Sequence, residues 1–251
     1  MAMQSASRRT YLKVEQACIQ TEFAKYFDFM DNVVKILSTE YLTHNVIQLR
    51  VTKPAGFTYD PGQATDVSIN EPGWRDKKNP FTFTSLNDAL YLEFIIKIYP
   101  ESKEGVTKKL STLLVGDELI LGEAWGAISY EGPGYFIAGG AGITPFIAIL
   151  RELKKRNKLT GNKLFFSNRT EGDIILADEL KGMLGRDALF LVNGQEAYHY
   201  DNRFIDEAFL KDKVTSFNRL FYICGPDLMT DQISKTLTKL GVAPEMLIFE
   251  R

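Results

Sequence analysis

The chain has 251 residues, of which 45% are hydrophobic and 12% aromatic, enough to bury the cores of two ordinary domains or one large one. A formal net charge of −2 argues against nucleic acid or an anionic membrane as the main partner. The two cysteines, Cys18 and Cys224, form neither a metal-ligand spacing nor a disulfide framework, and an iron–sulfur cluster needs about four thiolates, so a reducing cytoplasm is the expected setting. In chain order, residues 1–31 read as an uneven, weakly helical extension. Arg8 and Arg9 are present, but the apolar block of a signal peptide is not. A mobile leader is expected there, with Met30 as an alternative start. No apolar stretch approaches the ~18–20 residues of a membrane span.

From Asp31 to about Gly132 the pattern is β. Ile47, Leu49 and Val51 alternate with Val46, Gln48 and Arg50, the period-two signature of a strand. The turn Asp60-Pro61-Gly62 precedes a second strand over 64–69. A further strand is expected over 90–99, with Leu92, Phe94, Ile96 and Ile98 on one face. Short strands separated by turn signals predict an antiparallel barrel or sandwich. His44 and His199 stand alone in sequence, and each is expected in a surface or packing role rather than as a metal ligand.

After 131–134, Glu-Gly-Pro-Gly, strand-like and helix-like segments alternate. Strands are expected at 135–138, 163–166, 189–192, 220–224 and 246–249. Met229, Ile233, Leu237 and Leu240 fall on one helix face. This alternation predicts crossover units and a mostly parallel sheet. The expected organisation is an extension over 1–31, a β-barrel domain over 32–132 and an α/β domain over 133–251.

The first α/β strand runs into Gly139, Gly140, Ala141, Gly142, Ile143, Thr144 and Pro145. Pro145 suits the first turn of a helix, where its missing N–H has no partner to lose, and Thr144 is placed to cap that turn. Phe146, Ile149, Leu150 and Leu153 supply the helix's buried face. Glycines ahead of a helix N-terminus make an anion site that suits a dinucleotide pyrophosphate, although a plain tight turn reads equally well. The pattern is G-x-G-x-x-P, and the next strand ends in Ser167-Asn168-Arg169-Thr170 with no acidic ribose-binding residue. Arg169 can grip a 2′-phosphate bidentately or be simply solvated. "YICGPDLM", residues 222–229, repeats the arrangement of strand, Gly225, Pro226 and helix. Cys224 reads there either as an edge residue facing a ligand or as a small buried hydrophobe.

Three segments in order resemble the ferredoxin–NADP(+) reductase superfamily: "NPFTFTSL" (79–86) its flavin motif, "GGAGITP" its nicotinamide pyrophosphate loop, and "CGPDLM" its C-G-P-x-x-M segment. "IIKIYPESKEGVTKKLSTLLVGDEL" and "SNRTEGDIILADEL" are similar to two intervening stretches, so the resemblance covers about residues 32–251. It implies an antiparallel barrel that binds FAD (FMN less so), followed by a parallel α/β domain for NADPH or NADH. It places Asn79, Pro80, Phe81 and Thr82 on the flavin, Phe81 against the ring and Thr82 near its hydride-accepting nitrogen. It places the shared face of Ile95, Lys97 and Tyr99 along the flavin, and Gly105, Val106 and Thr107 at its phosphates. Gly140, Gly142, Thr144, Pro145, Asn168, Arg169, Cys224, Gly225 and Pro226 are implied for the nicotinamide nucleotide. Thr82 and Cys224 are implied to flank the hydride transfer, with Glu250 relaying a proton.

The departures are specific. Asn79 replaces the phosphate-gripping arginine, a charge that Arg75, Lys77 or Lys78 would have to supply. Phe81 replaces a tyrosine, and Ala141 a common threonine. Only one residue follows Glu250, so no C-terminal aromatic is expected over the flavin. The resemblance implies a cytoplasmic NAD(P)H-dependent reductase. Its expected acceptor is a separate carrier such as a flavodoxin or ferredoxin; a cytochrome, an oxygenase component, free flavin or ferric compounds are alternatives. "SNRTEGDI" is as similar to NADH-using cytochrome b5 reductases as to NADPH users, and Arg169 favours NADPH. A non-catalytic flavin- or nucleotide-binding subunit is the alternative function, supported by Asn79 and Phe81. A flavin-free dehydrogenase is disfavoured by the β-rich first half.

Overall fold

The structure is a computed structural model that describes residues 32–101, 105–126, 128–194 and 199–249. The expected leader, Cys18 and Glu250 lie outside the described residues. The first half contains β1 (Asn32–Thr43), β2 (Val46–Thr52), β3 (Ala64–Ile69), β4 (Asn79–Thr82), β5 (Tyr91–Lys97), the short helix α1 (Val106–Leu110) and β6 (Glu118–Trp125). Its strands form one antiparallel sheet in the order β4-β3-β6-β1-β2-β5. An antiparallel bridge between Phe83 and Phe94 joins the two edges directly after β4, which closes the sheet into a barrel. Leu92, Phe94, Ile96 and Ile98 fill its interior as the period-two reading expects, and Val106 and Leu110 of α1 plug it.

The alternation fails on β2 and β5, where nearly every residue is buried. On β5, Glu93 and Ile95 lie on the outward face, yet they are only 1% and 4% exposed. The second half covers that face: Val46 and Ile95 belong to the same apolar cluster as Phe146, Ile149 and Leu150. A wall buried on both sides loses the polar-out half of the pattern.

The second half contains β7 (Gly134–Gly139), α2 (Thr144–Lys155), β8 (Lys163–Asn168), α3 (Ala177–Leu184), β9 (Ala188–Val192), α4 (Glu207–Lys213), β10 (Leu220–Cys224), α5 (Asp227–Lys239) and β11 (Leu247–Ile248). All its strand pairs are parallel, in the order β11-β10-β7-β8-β9. β7 is central and every one of its residues is buried. On one face of the sheet, α2 and α3 pack through Phe146, Ile149, Leu150 and Leu180. On the other, α4 and α5 pack through Phe209, Leu210, Ile233 and Leu237. Met229 and Leu240, expected on the buried face of α5, pack at its margin.

Aromatic rings from α2, the sheet and the crossing segment line up. Phe146 meets Phe136 edge-on with centroids 5.1 Å apart. Phe136 stacks on Tyr222 at 4.5 Å, and Tyr222 on Tyr130 at 6.0 Å. The Tyr222 hydroxyl donates to the Gly132 carbonyl at 2.8 Å and accepts from the Glu131 and Gly132 amides at 2.9 and 3.0 Å. The segment entering the second half is thereby pinned to the middle of its sheet.

Candidate functional site

The chain leaves β7 toward β8 and β9 on one side, while β10 and β11 lie on the other. Strand order therefore reverses between β7 and β10, and ligands of open α/β sheets bind outside the carboxyl ends of strands at such a point. Both glycine-rich turns are there. Gly139 and Gly142 are glycine because of close approach. A Cβ on Gly142 would lie 2.4 Å from the Cys224 carbonyl oxygen, and one on Gly139 would lie 2.4 Å from Met229 Sδ. Gly140 has another reason: its φ is +53°, in the left-handed region, and a Cβ there would meet nothing within 4 Å.

The turn departs from expectation at Thr144. A 3-10 turn over Gly140–Ile143 precedes α2, and no side chain caps the helix. The Thr144 hydroxyl instead donates back to the Ala141 carbonyl at 3.1 Å, which steadies the turn rather than the helix end. Pro145 does fall in the first turn of α2.

A cavity of about 960 Å³ opens at this edge, near the upper end of small-molecule sites and roomy enough for a dinucleotide. Its floor is formed by Gly139–Gly142, Gly225, Pro226 and Met229, and its sheet side by Ser167, Asn168, Arg169 and Asn193. Its opposite wall comes from the barrel: residues 97–101 at and beyond the end of β5, and His44, Asn45 and Val46 from the turn between β1 and β2 into the start of β2. The cavity thus lies at the seam of the two halves. Asp173 closes the far rim, 3.8 Å from His44 Nδ1 across that seam, and its carboxylate also accepts from the Thr170 amide and hydroxyl.

Of the sequence-selected residues, Lys97, Tyr99, Gly140, Gly142, Asn168, Arg169, Gly225 and Pro226 line this cavity. Thr144, Pro145 and Cys224 stand just behind it, Cys224 half-buried at the end of β10. Asn79, Pro80, Phe81 and Thr82 are placed together on edge strand β4, outside the cavity lining. Phe81 and Thr82 are half-buried there. Ile95 packs into the seam, and Val106 points into the barrel core, so only its backbone is left to meet a ligand. Glu250 lies outside the described residues. His44, Asn45, Ser167, Asp173 and Asn193 were not foreseen as site residues: the first two come from an ordinary turn, and no sequence spacing marks the others.

One ion network joins the β4 side to the glycine side. Arg151 on α2 reaches across the seam, its Nη1 donating to the Thr84 carbonyl at 2.8 Å and to Glu93 Oε1 at 2.6 Å. Its Nε and Nη2 grip Glu179 of α3 bidentately at 2.6 and 2.8 Å. Glu93 also accepts from Arg50 Nε at 3.0 Å and from the Thr84 hydroxyl at 3.0 Å. Burial alone would lower the Arg151 pKa, but its hydrogen bonds to Glu179 and the charge of Glu93 outweigh it and hold the guanidinium above its ordinary value.

The residues suit the groups this fold implies. At Gly140 the glycine floor leaves open space that a side chain would fill, while Gly139 and Gly142 let the two turns close together beneath it. The Asn168 carboxamide is buried on the cavity wall with neither polar atom partnered. Phe81, half-buried on edge strand β4, packs against the margin of the barrel's apolar cluster, and Thr82 follows it half-buried on the same strand. Among the described residues, no three His, Cys, Asp or Glu side chains are grouped to hold a metal ion.

The chain matches the family model described as an FAD-binding domain over residues 31–135 and that described as an oxidoreductase NAD-binding domain over residues 136–235. It is similar to NADH-cytochrome b5 reductase 1 of Bos taurus, 30% identical over 205 residues that cover 66% of this chain and 67% of that protein. It is also similar to the reductase component of propane 2-monooxygenase from Rhodococcus jostii (strain RHA1), 26% identical over 235 residues. That match covers 86% of this chain and 62% of the relative, so the chain spans less than two thirds of the relative's length. Among solved structures, a ferredoxin NADP+ reductase from Neisseria gonorrhoeae with bound FAD and NADP shares the fold at a TM-score of 0.76 and 19% identity, covering 87% of this chain and 97% of that one.

Proposed function

Because this chain belongs to the ferredoxin–NADP(+) reductase superfamily of FAD- and nicotinamide-binding oxidoreductases, we propose that it takes a hydride from NADPH, or NADH, onto FAD and passes the electrons to a separate redox protein. The observation that carries this reading is the seam cavity, walled by Lys97 and Tyr99 on the barrel side and floored by both glycine edges on the other. Bound FAD supplies a carrier that accepts two electrons as a hydride and releases them singly. The chain's own part is to hold two rings in contact and exclude water between them.

In this reading β4 holds the flavin: Phe81 offers an apolar ring face and Thr82 a hydroxyl fixed by its strand. Asn79 and Pro80 border it, and the backbone at Gly105, Val106 and Thr107 faces its phosphates. Gly140 and Gly142 bring backbone close to the nucleotide pyrophosphate, while Asn168 and Arg169 take the adenosine end. Cys224, Gly225 and Pro226 back the nicotinamide, and Glu250 holds or moves a proton. The division into 32–132 and 133–251 belongs to the same proposal. Arg169, exposed on the cavity wall, supports NADPH over NADH. A flavodoxin or ferredoxin is the proposed acceptor; similarity to a monooxygenase reductase component and to cytochrome b5 reductases supports testing the oxygenase-component and cytochrome alternatives beside it. No helix among the described residues is long and apolar enough to cross a membrane. A cytoplasmic setting stays within the proposal.

The purified protein is expected to be yellow, and NADPH added without oxygen is expected to bleach it. Release of the flavin and chromatography identify FAD. Steady-state assays with both donors test the preference, and a kcat/KM favouring NADH tenfold or more, about 1.4 kcal/mol, rejects NADPH. A colourless protein that reduces no dye with either nucleotide supports the non-catalytic subunit instead.

A further inference from the structure

The structure assigns a positioning role to Arg151: it sets the spacing between the strand that carries Thr82 and the helix that carries the glycine loop. The inference rests on the reading of hydride transfer at the seam. α2 begins at the glycine turn, and Arg151 lies seven residues further on, facing the barrel. One guanidinium nitrogen holds both the Thr84 carbonyl, two residues beyond Thr82, and the carboxylate of Glu93, opposite it on β5. The Thr84 amide donates to the Glu93 carbonyl at 2.8 Å and the Glu93 amide to Ser85 Oγ at 2.9 Å, so the end of β4 and β5 move as one piece. The other edge of the guanidinium is fixed to α3 through Glu179.

The network is placed for geometry rather than binding. None of Arg151, Glu93, Thr84 and Glu179 lines the nucleotide cavity. Arg151 Nη1 meets Glu93 at 2.6 Å, and that carboxylate is 1% exposed, where salt and water screen least. Hydride transfer needs its reacting atoms about 3–3.5 Å apart, and a displacement of about 1 Å costs on the order of a hundredfold. A fork whose two edges hold opposite sides of the seam fixes such a distance better than apolar packing alone. Lysine, a compact ammonium on a flexible stem, lacks the rigid planar fork that grips Glu179 bidentately while reaching Glu93.

The test is Arg151→Met in the purified full-length protein. Glu93 keeps Arg50 as a partner, and Glu179, about a third exposed, can turn to water, so no buried charge is stranded. Flavin content and nucleotide affinity are expected to stay within about twofold of the parent. The single-turnover rate of flavin bleaching is expected to fall tenfold or more, with its primary deuterium isotope effect retained. Amide hydrogen exchange across residues 82–94 and 144–155 is expected to rise. Arg151→Lys should recover the rate only in part.

Should Arg151→Met not fold, Glu93→Gln and Arg151→Lys carry the same measurements. A folded, yellow variant that bleaches at the parental rate overturns the assignment. So does a variant with lower thermal stability whose yellow fraction reacts normally, since that marks a purely structural ion pair. If the parent itself is not bleached by either nucleotide, the hydride-transfer reading falls, and this inference with it.

Discussion

Gly140 and Gly142 are two residues apart and are glycine for different reasons, so alanine should act differently at each. At Gly142 the added methyl would lie 2.4 Å from a backbone oxygen of the neighbouring strand end, which no rotamer change relieves. Gly142→Ala is expected to cost about 1–3 kcal/mol of stability and to weaken nucleotide binding by pushing the two turns apart. At Gly140 the methyl meets nothing of the protein but forces alanine to a φ of +53°. Gly140→Ala should cost about 1 kcal/mol and act mainly on the nucleotide, whose space the methyl enters. Urea midpoints and nucleotide titrations on both variants separate the two effects. The sequence disclosed that this loop needed glycine, because three glycines ahead of a proline are informative in themselves. It did not disclose that Thr144 turns its hydroxyl back to Ala141. Whether a threonine caps a helix or braces a turn depends on backbone that a 3-10 turn has already bent.

The stretch from β4 into β5 shows how an element is stitched from beneath. Tyr59 stacks on Phe83 with centroids 4.1 Å apart, and its hydroxyl meets Ser85 Oγ at 2.8 Å and the Ser85 carbonyl at 3.0 Å. Burial pushes the Tyr59 phenol up to about 12, more than the Ser85 hydrogen bond brings it down. A folded phenol that keeps its proton while the unfolded one loses it makes stability fall as pH rises from about 10 to 12, by up to about 1.4 kcal/mol per pH unit. Tyr59→Phe removes that slope along with both buried hydrogen bonds to Ser85. The variant should be about 1 kcal/mol less stable than the parent at pH 8, and the gap should narrow above pH 10. Denaturant unfolding at stepped pH checks this. β2, β3 and β5 were legible as strands, whereas β1 and β6 were not singled out within the β-rich half. What the alternation on β2 and β5 did not disclose is that their outward faces are buried by a domain far along the chain.

At the scale of the molecule, the seam is held by unequal contacts. Lys155 pairs with Asp88 across it in the open, whereas Glu93 is buried. Lys155→Ala is expected to change unfolding free energy by less than about 0.5 kcal/mol. Glu93→Ala, which strips Arg50 and Arg151 of their shared carboxylate, should cost about 3–5 kcal/mol. Chemical denaturation of the two variants gives the comparison. The seam is also where sequence reading reached its limit. The glycine floor, Arg169 and the Lys97 and Tyr99 part of the facing wall could be read from the sequence, but the rest of that wall comes from a turn at His44 and Asn45 with no motif at all. Arg151 belongs to no motif and was not among the residues singled out from the sequence. Lastly, the row of rings from Phe146 through Phe136 and Tyr222 to Tyr130 holds tyrosine chromophores in a fixed, chiral stack. Such a stack gives a near-ultraviolet circular dichroism band of its own. Because Tyr130 joins the row only while the crossing segment stays pinned, that band is an optical gauge of whether the two halves remain docked.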